Sequence, residues 1–432
     1  MNEIVPPPLP PLPPPVPARL PLPVPQAFEP LPLPPASVHF TGATRSFRKL
    51  IVRGALLQLV SVGIYRFWLT TDARRFLWVS TEIGGDSLEY TGTAMELFLG
   101  FLMAVALLVP IYVLLFLGTL ELGMVSRLSS PVAFVFLAVF GQYAYFRARR
   151  YRLTRTVFRG IRFHQSGSPW AYALRSLLWW IAIACSAGFA YPWAQASLER
   201  YKLAHTHYGD LNGRFTATGS SLFLRGAALW LITVVVLIAF FALIGYFTQK
   251  GMRFGTASPS PQDRAAGAII GIATLAVMIL AFIGYALLQA IMMKWWLAGL
   301  RFGVVEVRTT LKKRRIFGAY FRCLAYIVLV LLALCVIFGV VAGVGAAILK
   351  VKPAQETIQN LTLAGVACVY LLLAIIGWII YQMTIKLRIW RMAVDSVTVP
   401  GFDVVEWVRA DDSLPSSAVG EGLADALGAG GI

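Results

Sequence analysis

The sequence predicts a polytopic α-helical membrane protein built on a tandem repeat, and three observations carry that expectation. Of 432 residues, 58% are hydrophobic and only 13% are charged, with a mean hydropathy of +0.71. A soluble domain of this length does not carry so little charge. A segment also recurs: "SVGIYRFWLTTDARRFLWVST" from Ser61 shares Ser, Gly, Trp, Arg, an aromatic and Thr, at the same offsets, with "SAGFAYPWAQASLERYKLAHT" from Ser186. Finally, the lysines and arginines divide unevenly among the loops.

Residues 1–39 hold 16 of the 25 prolines, in runs such as "PPPLPPLPPPVP". Such runs favour polyproline II and cannot pack a core, so a disordered arm is expected. It lacks the basic and apolar regions of a secretory signal. Apolar runs of about 20 residues, enough to cross roughly 30 Å of hydrocarbon, begin near Glu96, Pro131, Leu222, Ala265, Phe321 and Leu361. That gives six spanning helices. Two further apolar runs, Leu50 to Leu69 and Tyr172 to Trp193, each contain the start of one copy of the repeated segment. Residues 411–432, acidic and rich in Gly, Ala and Ser, read as an unstructured tail.

In the repeat, Ser61, Gly63, Trp68, Arg75, Phe76 and Thr81 return as Ser186, Gly188, Trp193, Arg200, Tyr201 and Thr206, 125 positions later. Arg150, Tyr151 and Thr156 form a partial copy between them. After each copy comes a polar-apolar alternation broken by Gly: "EIGGDSLEYTG", "FRGIRFHQSG" and "YGDLNGRFTATG". This is the period and punctuation of a β-hairpin. "LRFGVVEVRTTL" and "SVTVPGFDVVEWV" are looser relatives, so five hairpins are expected.

Of the 38 basic residues, only Arg127, Lys250, Arg253, Arg264, Lys350 and Lys352 fall in loops without hairpins. Basic residues near membrane helices favour the cytoplasmic side. The hairpins and both termini are therefore expected there. Full crossings at residues 50–69 and 172–193 would break this rule twice. The economical reading is that both segments re-enter, bending at Gly63 and Gly188, where glycine tolerates unusual backbone angles. The unit is then a re-entrant helix, a hairpin, two spanning helices and a second hairpin, occurring at residues 40–168 and again at 169–315. A final helix pair with the fifth hairpin occupies residues 316–410.

At this point "FTGATRSFRKL", "SVGIYRFW", "ARRFLWVSTEIGGDSLEYTG" and "AYPWAQASLERYKLAHT" carry a resemblance. Over roughly residues 38–408 the chain resembles the YjgN family of bacterial inner-membrane proteins, whose defining domain is of unknown function. The family-like "YxPW" stands as "YRFW" at Tyr65, whereas Tyr191-Pro192-Trp193 is closer to it. The resemblance implies an inner-membrane location and transfers no catalytic residue, substrate or cofactor.

Ionisable residues inside apolar segments are the first functional candidates, because at the bilayer centre they cost about 2.5–3.5 kcal/mol or more. Arg53 and Arg175 meet that description. With Tyr65, Trp68, Tyr191 and Trp193 they suggest a pocket for an anionic solute or lipid headgroup between the two repeats, although snorkelling to the interface, or bonding to carbonyls freed at the bends, is the simpler reading of both arginines. Arg225 and Arg322 read as positive-inside anchors, and Glu96 as their ion-pair partner or a proton-exchanging carboxylate. His205 and His207 have a metal-like spacing but no third ligand, and a polar hairpin edge is the simpler reading. Cys185, Cys323, Cys335 and Cys368 show no metal or disulfide spacing, and read as buried thiols.

No nucleophile-base arrangement or phosphate loop is visible, so no enzyme, cofactor or metal is expected. The run "KKRR" at Lys312 to Arg315, with Lys294, Arg301 and Arg308, makes a basic patch against the bilayer. Its expected partner is anionic lipid rather than nucleic acid. Two function classes follow: a transporter or lipid-handling protein that works between its repeats, or a non-transporting scaffold whose hairpins bind headgroups or proteins.

Overall fold

The computed structural model describes residues 35–121, 123–251, 260–349 and 355–409. The proline arm and the acidic tail expected from sequence otherwise lie outside these residues, but the end of the expected arm enters a β-strand, Ala36–Phe40. Five helices among the described residues are long and apolar enough to cross a membrane: Ala94–Val113, Gly219–Gln249, Pro261–Gly299, Lys313–Val341 and Leu363–Val394. Their outer faces carry exposed Leu, Ile, Val and Phe, a surface that only lipid solvates well. The expected sixth span falls within a helix at Gly123–Thr154.

The elements repeat as strand, helix, helix, strand. The first unit comprises β1 (Ala36–Phe40), α1 (Thr44–Val60), α2 (Arg66–Val79) and β2 (Thr81–Ile83); the second, β3 (Asp86–Tyr90), α3 (Ala94–Glu121), α4 (Gly123–Thr154) and β4 (Thr156–Phe158). The third is β5 (Ile161–Gln165), α5 (Pro169–Cys185), α6 (Tyr191–Ala204) and β6 (Thr206–Tyr208); the fourth, β7 (Leu211–Phe215), α7 (Gly219–Gln249), α8 (Pro261–Gly299) and β8 (Leu300–Phe302). The fifth begins with β9 (Val305–Glu306) and β10 (Arg308–Thr309). It continues through α9 (Lys313–Leu349), α10 (Gln355–Tyr381), a π-helical turn at Gln382–Lys386 and α11 (Leu387–Val394), ending in β11 (Val397–Val399).

Within each unit the outer strands pair antiparallel, and the register repeats: Phe40 opposite Thr81, Tyr90 opposite Thr156, Gln165 opposite Thr206, Phe215 opposite Leu300 and Thr309 opposite Val397. One residue further on, five equivalent backbone bonds close the units: the N–H groups of Thr41, Thr91, Ser166, Thr216 and Thr310 donate to the carbonyls of Ser80, Arg155, His205, Gly299 and Ser396. Tight hairpins join successive units. Their turns use left-handed residues, such as Gly84-Gly85 and Arg159-Gly160, which the right-handed twist of paired strands favours.

The last junction is not local. β11 pairs with β1, Ala36 opposite Val399, while β9 and β10 run on from one another and bridge β8 to β11. The sheet is therefore a closed ring, which leaves no free edge. This corrects the expected fifth hairpin: beyond β11, Pro400-Gly401 leads into a 3-10 helix at Phe402–Trp407. Its place beside β11 is taken by β1. Phe402 and Val405 of the 3-10 helix plug the ring with Val38, Phe158, Tyr208 and Val399.

Two units are short and three long. α1 has 17 residues and α2 has 14, and α5 and α6 have the same lengths. At about 1.5 Å per residue these helices are shorter than a roughly 30 Å hydrocarbon core. Their turns are the same structure 125 residues apart. Val62 and Gly63, like Ala187 and Gly188, have positive φ; the Ser61 hydroxyl accepts the Tyr65 N–H at 2.9 Å, and Ser186 accepts Ala190 at 3.0 Å. Replacing both Gly63 and Gly188 by alanine is expected to lower stability by about 1–2 kcal/mol per site, measurable as a fall in melting temperature of the purified protein.

The repeated Arg-aromatic-Thr signature also acquires a cause. Arg75, Arg150 and Arg200 each donate to the carbonyl 17 residues ahead, at Gly92, Gly167 and Ala217, and so tie a helix end to the entry of the next unit. Thr81, Thr156 and Thr206 each donate to the carbonyl four residues back, at 2.7, 2.8 and 2.7 Å. The same three hydroxyls accept from the preceding unit: Trp390 Nε1 to Thr81, Trp78 Nε1 to Thr156, and Arg149 to Thr206. Thr156→Val keeps the shape but strands the buried Trp78 N–H. A loss of about 1–3 kcal/mol is expected, checked by thermal unfolding.

Candidate functional site at the centre of the ring

The second helices of the five units deliver their last turns to the ring. Seven residues before β2, β4, β6, β8 and β11 stand Arg74, Arg149, Glu199, Met293 and Trp390; four residues before stand Leu77, Arg152, Lys202, Trp296 and Ala393. Residues at this spacing share one helix face. The first three units thus contribute charge, and the fourth and fifth contribute apolar and aromatic groups.

On the apolar side lies a cavity of about 390 Å³. Val38, Phe158, Phe163 and Phe302 of the strands form its wall, Phe402 and Val405 of the 3-10 helix its roof, and Met293, Trp296, Trp390 and Val394 its floor. Its lining is almost wholly hydrocarbon and aromatic. Tyr208, whose side chain lines it, has its phenol pushed up to about 12 by burial, with Arg159 opposing; its hydroxyl turns away to donate to the Phe158 carbonyl at 3.0 Å.

The charged side adjoins directly, since Trp296 Nε1 donates to Glu199 at 3.0 Å. Glu199 pairs with Lys202 at 2.6 Å, and the two side chains are 12% and 7% exposed. Burial alone would lower the Lys202 ammonium, but the Tyr145 hydroxyl and Glu199 beside it outweigh burial and raise it. Arg149 donates at 2.9 Å to both Gln165 and Thr206. Two cations, Arg149 and Lys202, therefore stand beside one carboxylate. The Gln165 amide nitrogen is buried without a hydrogen-bond partner among the described residues. Such a group, like the excess positive charge, is favourably met by an acceptor or an anion.

The six residues singled out from sequence do not line this cavity. Arg53 is exposed on α1, beside a shallow surface groove with Arg48 and Lys49. Arg175 is exposed on α5, its guanidinium 4.8 Å from the Tyr201 ring. Their units are separated by β3 and β4 in the ring, and the 125-residue offset carries Arg53 to Leu178 rather than Arg175. Trp68 and Trp193 do occupy equivalent places: each packs on the phenylalanine 30 residues ahead, Phe98 at 6.0 Å and Phe223 at 5.4 Å. Tyr65 stacks on Trp68 at 6.2 Å. Tyr191 opens α6.

Other candidates resolve locally. Glu96 pairs with Arg155 at 2.9 Å and accepts the Tyr151 hydroxyl at 2.7 Å, so its partner is neither Arg225 nor Arg322. His205 faces the Tyr201 carbonyl at 2.7 Å; His207 lies 2.6 Å from Asn212 and 2.9 Å from Ser166. Cys323 is buried, but Cys185, Cys335 and Cys368 sit on outer helix faces, because an apolar thiol is as well accommodated by lipid as by a core. Sequence reasoning misses Arg149 and Lys202, which stand beside the repeated pairs Arg150-Tyr151 and Arg200-Tyr201. The signal was the Glu199-Lys202 pair at i, i+3.

A profile of bacterial proteins of unknown function, DUF898, matches residues 35–426. The chain is 26% identical over 138 residues to an Escherichia coli O157:H7 protein named inner membrane protein YjgN, a match covering 32% of this chain and 33% of that relative. The matched region thus spans about a third of the relative's length. No solved structure matches. With a family profile covering nearly all of the described residues and five apolar helices beneath a closed ring, this chain is a polytopic membrane protein belonging to the YjgN-like DUF898 family.

Proposed function

We propose that the protein binds an amphiphilic anion, a lipid or fatty-acid-like molecule, at the centre of the ring, in the bacterial inner membrane. The observation that carries this reading is the juxtaposition of an apolar cavity with the buried charges of Arg149, Lys202 and Glu199. Ligand pockets are concave, mostly apolar and few per protein, with a small set of polar groups that fix orientation. The site sits among five units, so handling of the ligand is placed there rather than between two repeats. The role assigned is binding, with no catalytic step. A dry lining supports holding a chain more than conducting a hydrated solute.

In this reading the two short helix pairs dip into the membrane and return, with the hairpins and both termini on the cytoplasmic side. Val60 and Val62 at the first turn are 81% and 91% exposed, which suits a tip immersed in hydrocarbon. Cysteines placed at Asp86 and Asn212 should react with a membrane-impermeant thiol reagent only from the cytoplasmic side, and one at Gln355 only from outside; labelling of Asp86 from outside would exclude this topology.

Brominated fatty acid tests the site, because bromine quenches tryptophan at short range. Quenching of Trp296 and Trp390 is expected with dibromostearate, weaker with its methyl ester, and lost in Val394→Trp corrected for the added fluorophore, where the cavity is filled. Equal quenching by acid and ester, or quenching unchanged by Val394→Trp, would refute the assignment. A non-transporting scaffold is the second reading. Exposed Arg162 and Arg214 on the strands would then meet headgroups or protein partners.

A further inference from the structure

α11 has two faces. Trp390, Ala393 and Val394 line the ring cavity, while Arg388, Arg391, Met392 and Asp395, spaced at i, i+3, i+4 and i+7, line a separate cavity of about 380 Å³ against the start of α9. Lys312, Arg315 and Arg322 complete that second lining. Five cations thus surround one carboxylate. The carboxylate is already engaged: Asp395 lies 3.6 Å from Arg391 and accepts the Phe40 N–H at 2.9 Å. Among the described residues Lys312, Arg315 and Arg388 make no ion pair. Cations gathered in a concave site repel one another unless an anion joins them.

We infer that this cavity binds the phosphate headgroup of an anionic phospholipid. Guanidinium groups match phosphate oxygens with paired N–H donors, and basic pockets between membrane helices recognise anionic headgroups. A free phosphate ion has the same headgroup chemistry. What selects the lipid is the surface beside the pocket. Phe321, next to Arg322, begins an apolar groove on α9 continued by Leu324, Val328, Leu329 and Leu332, on a helix long enough to cross the membrane. Phe321, Leu329 and Leu332 are all exposed. A phosphate held by Arg315, Arg322 and Arg388 therefore leaves its acyl chains alongside that groove, where lipid belongs. The site is independent of the ring cavity, which shares none of its lining.

The test is native mass spectrometry of the full-length protein in neutral detergent, titrated with phosphatidylglycerol or phosphatidylcholine. Phosphatidylglycerol should bind about tenfold more tightly, and Arg315→Gln with Arg388→Gln should remove that preference, a loss of about tenfold. Arg162→Gln with Arg214→Gln removes the same charge from the strands and should leave it intact, as should Val394→Trp in the ring cavity. Inorganic phosphate should fail to displace the lipid. If the control pair loses as much as the pocket pair, or inorganic phosphate competes the lipid away, the inference falls. Should the Arg388 variant fail to fold, Lys312→Gln with Arg315→Gln, both exposed, carries the same comparison with the same two outcomes.

Discussion

Glu199→Ala should destabilise the protein by about 3–5 kcal/mol, because removing one member of a buried ion pair leaves the other charged and unsolvated. Lys202 would lose its 2.6 Å partner, and Trp296 would lose the acceptor of its indole N–H. Arg149, whose charge Glu199 also offsets, would lose that neighbour. The paired replacement Glu199→Gln with Lys202→Met removes both charges in similar volume. It should recover a large part of the loss, since well-packed neutral groups often replace a buried ion pair at little cost. Thermal and denaturant unfolding of the single and double variants checks this. Equal stability of Glu199→Ala and wild type would mean that water reaches the cluster.

Trp390→Ala should cost about 3–5 kcal/mol, the range for losing a large aromatic from a packed site. Trp390 stacks on Trp78 with ring centroids 5.1 Å apart and donates to Thr81 at 3.1 Å. Both contacts join the fifth unit to the first, where no short hairpin holds the ring together. Trp390→Phe keeps the stack and loses only the hydrogen bond, so it should cost about 1 kcal/mol. If the two substitutions are equally mild, closure does not depend on this contact. The alanine variant also enlarges the ring cavity, and binding of brominated fatty acid should weaken with it.

The 125-residue repeat was legible because the two short units need the same turn, and that turn restricts its residues: Ser61 and Ser186 accept an N–H, and Gly63 and Gly188 take positive φ. The fivefold order was hidden for the opposite reason. Equivalent strand starts read Thr81, Thr156, Thr206, Leu300 and Val397, since any residue that packs there can enter a strand whose pairing is set by its backbone. The long units also insert helices of different lengths between equivalent strands. "SVTVPGFDVVEWV" misled because Pro400-Gly401 resembles a turn, yet a strand paired by distant β1 needs no local partner.

Burial is hard to read from sequence at the site as well. Arg53 and Arg175 drew attention because apolar residues surround them in sequence, but on an outward helix face such neighbours contact lipid and leave the guanidinium free to reach the interface. Arg149 and Lys202 lie in polar-looking sequence, and they are the cations that tertiary packing places beside the ring centre. Apolar sequence around a charge is therefore a weaker guide in a membrane protein than in a soluble one.

Closure by β1 and β11 has a consequence for how the protein is made. Ala36 and Val399 are partners, yet at roughly 5–20 residues per second the ribosome needs on the order of tens of seconds to synthesise the chain between them. Throughout that interval β1 has one unpaired edge, an open template for other strands. The ring cannot finish until the last helix pair has been inserted by the translocation machinery. Delay at that final insertion step would leave the nascent chain open to aggregation and to membrane proteases, even when every earlier unit had folded correctly.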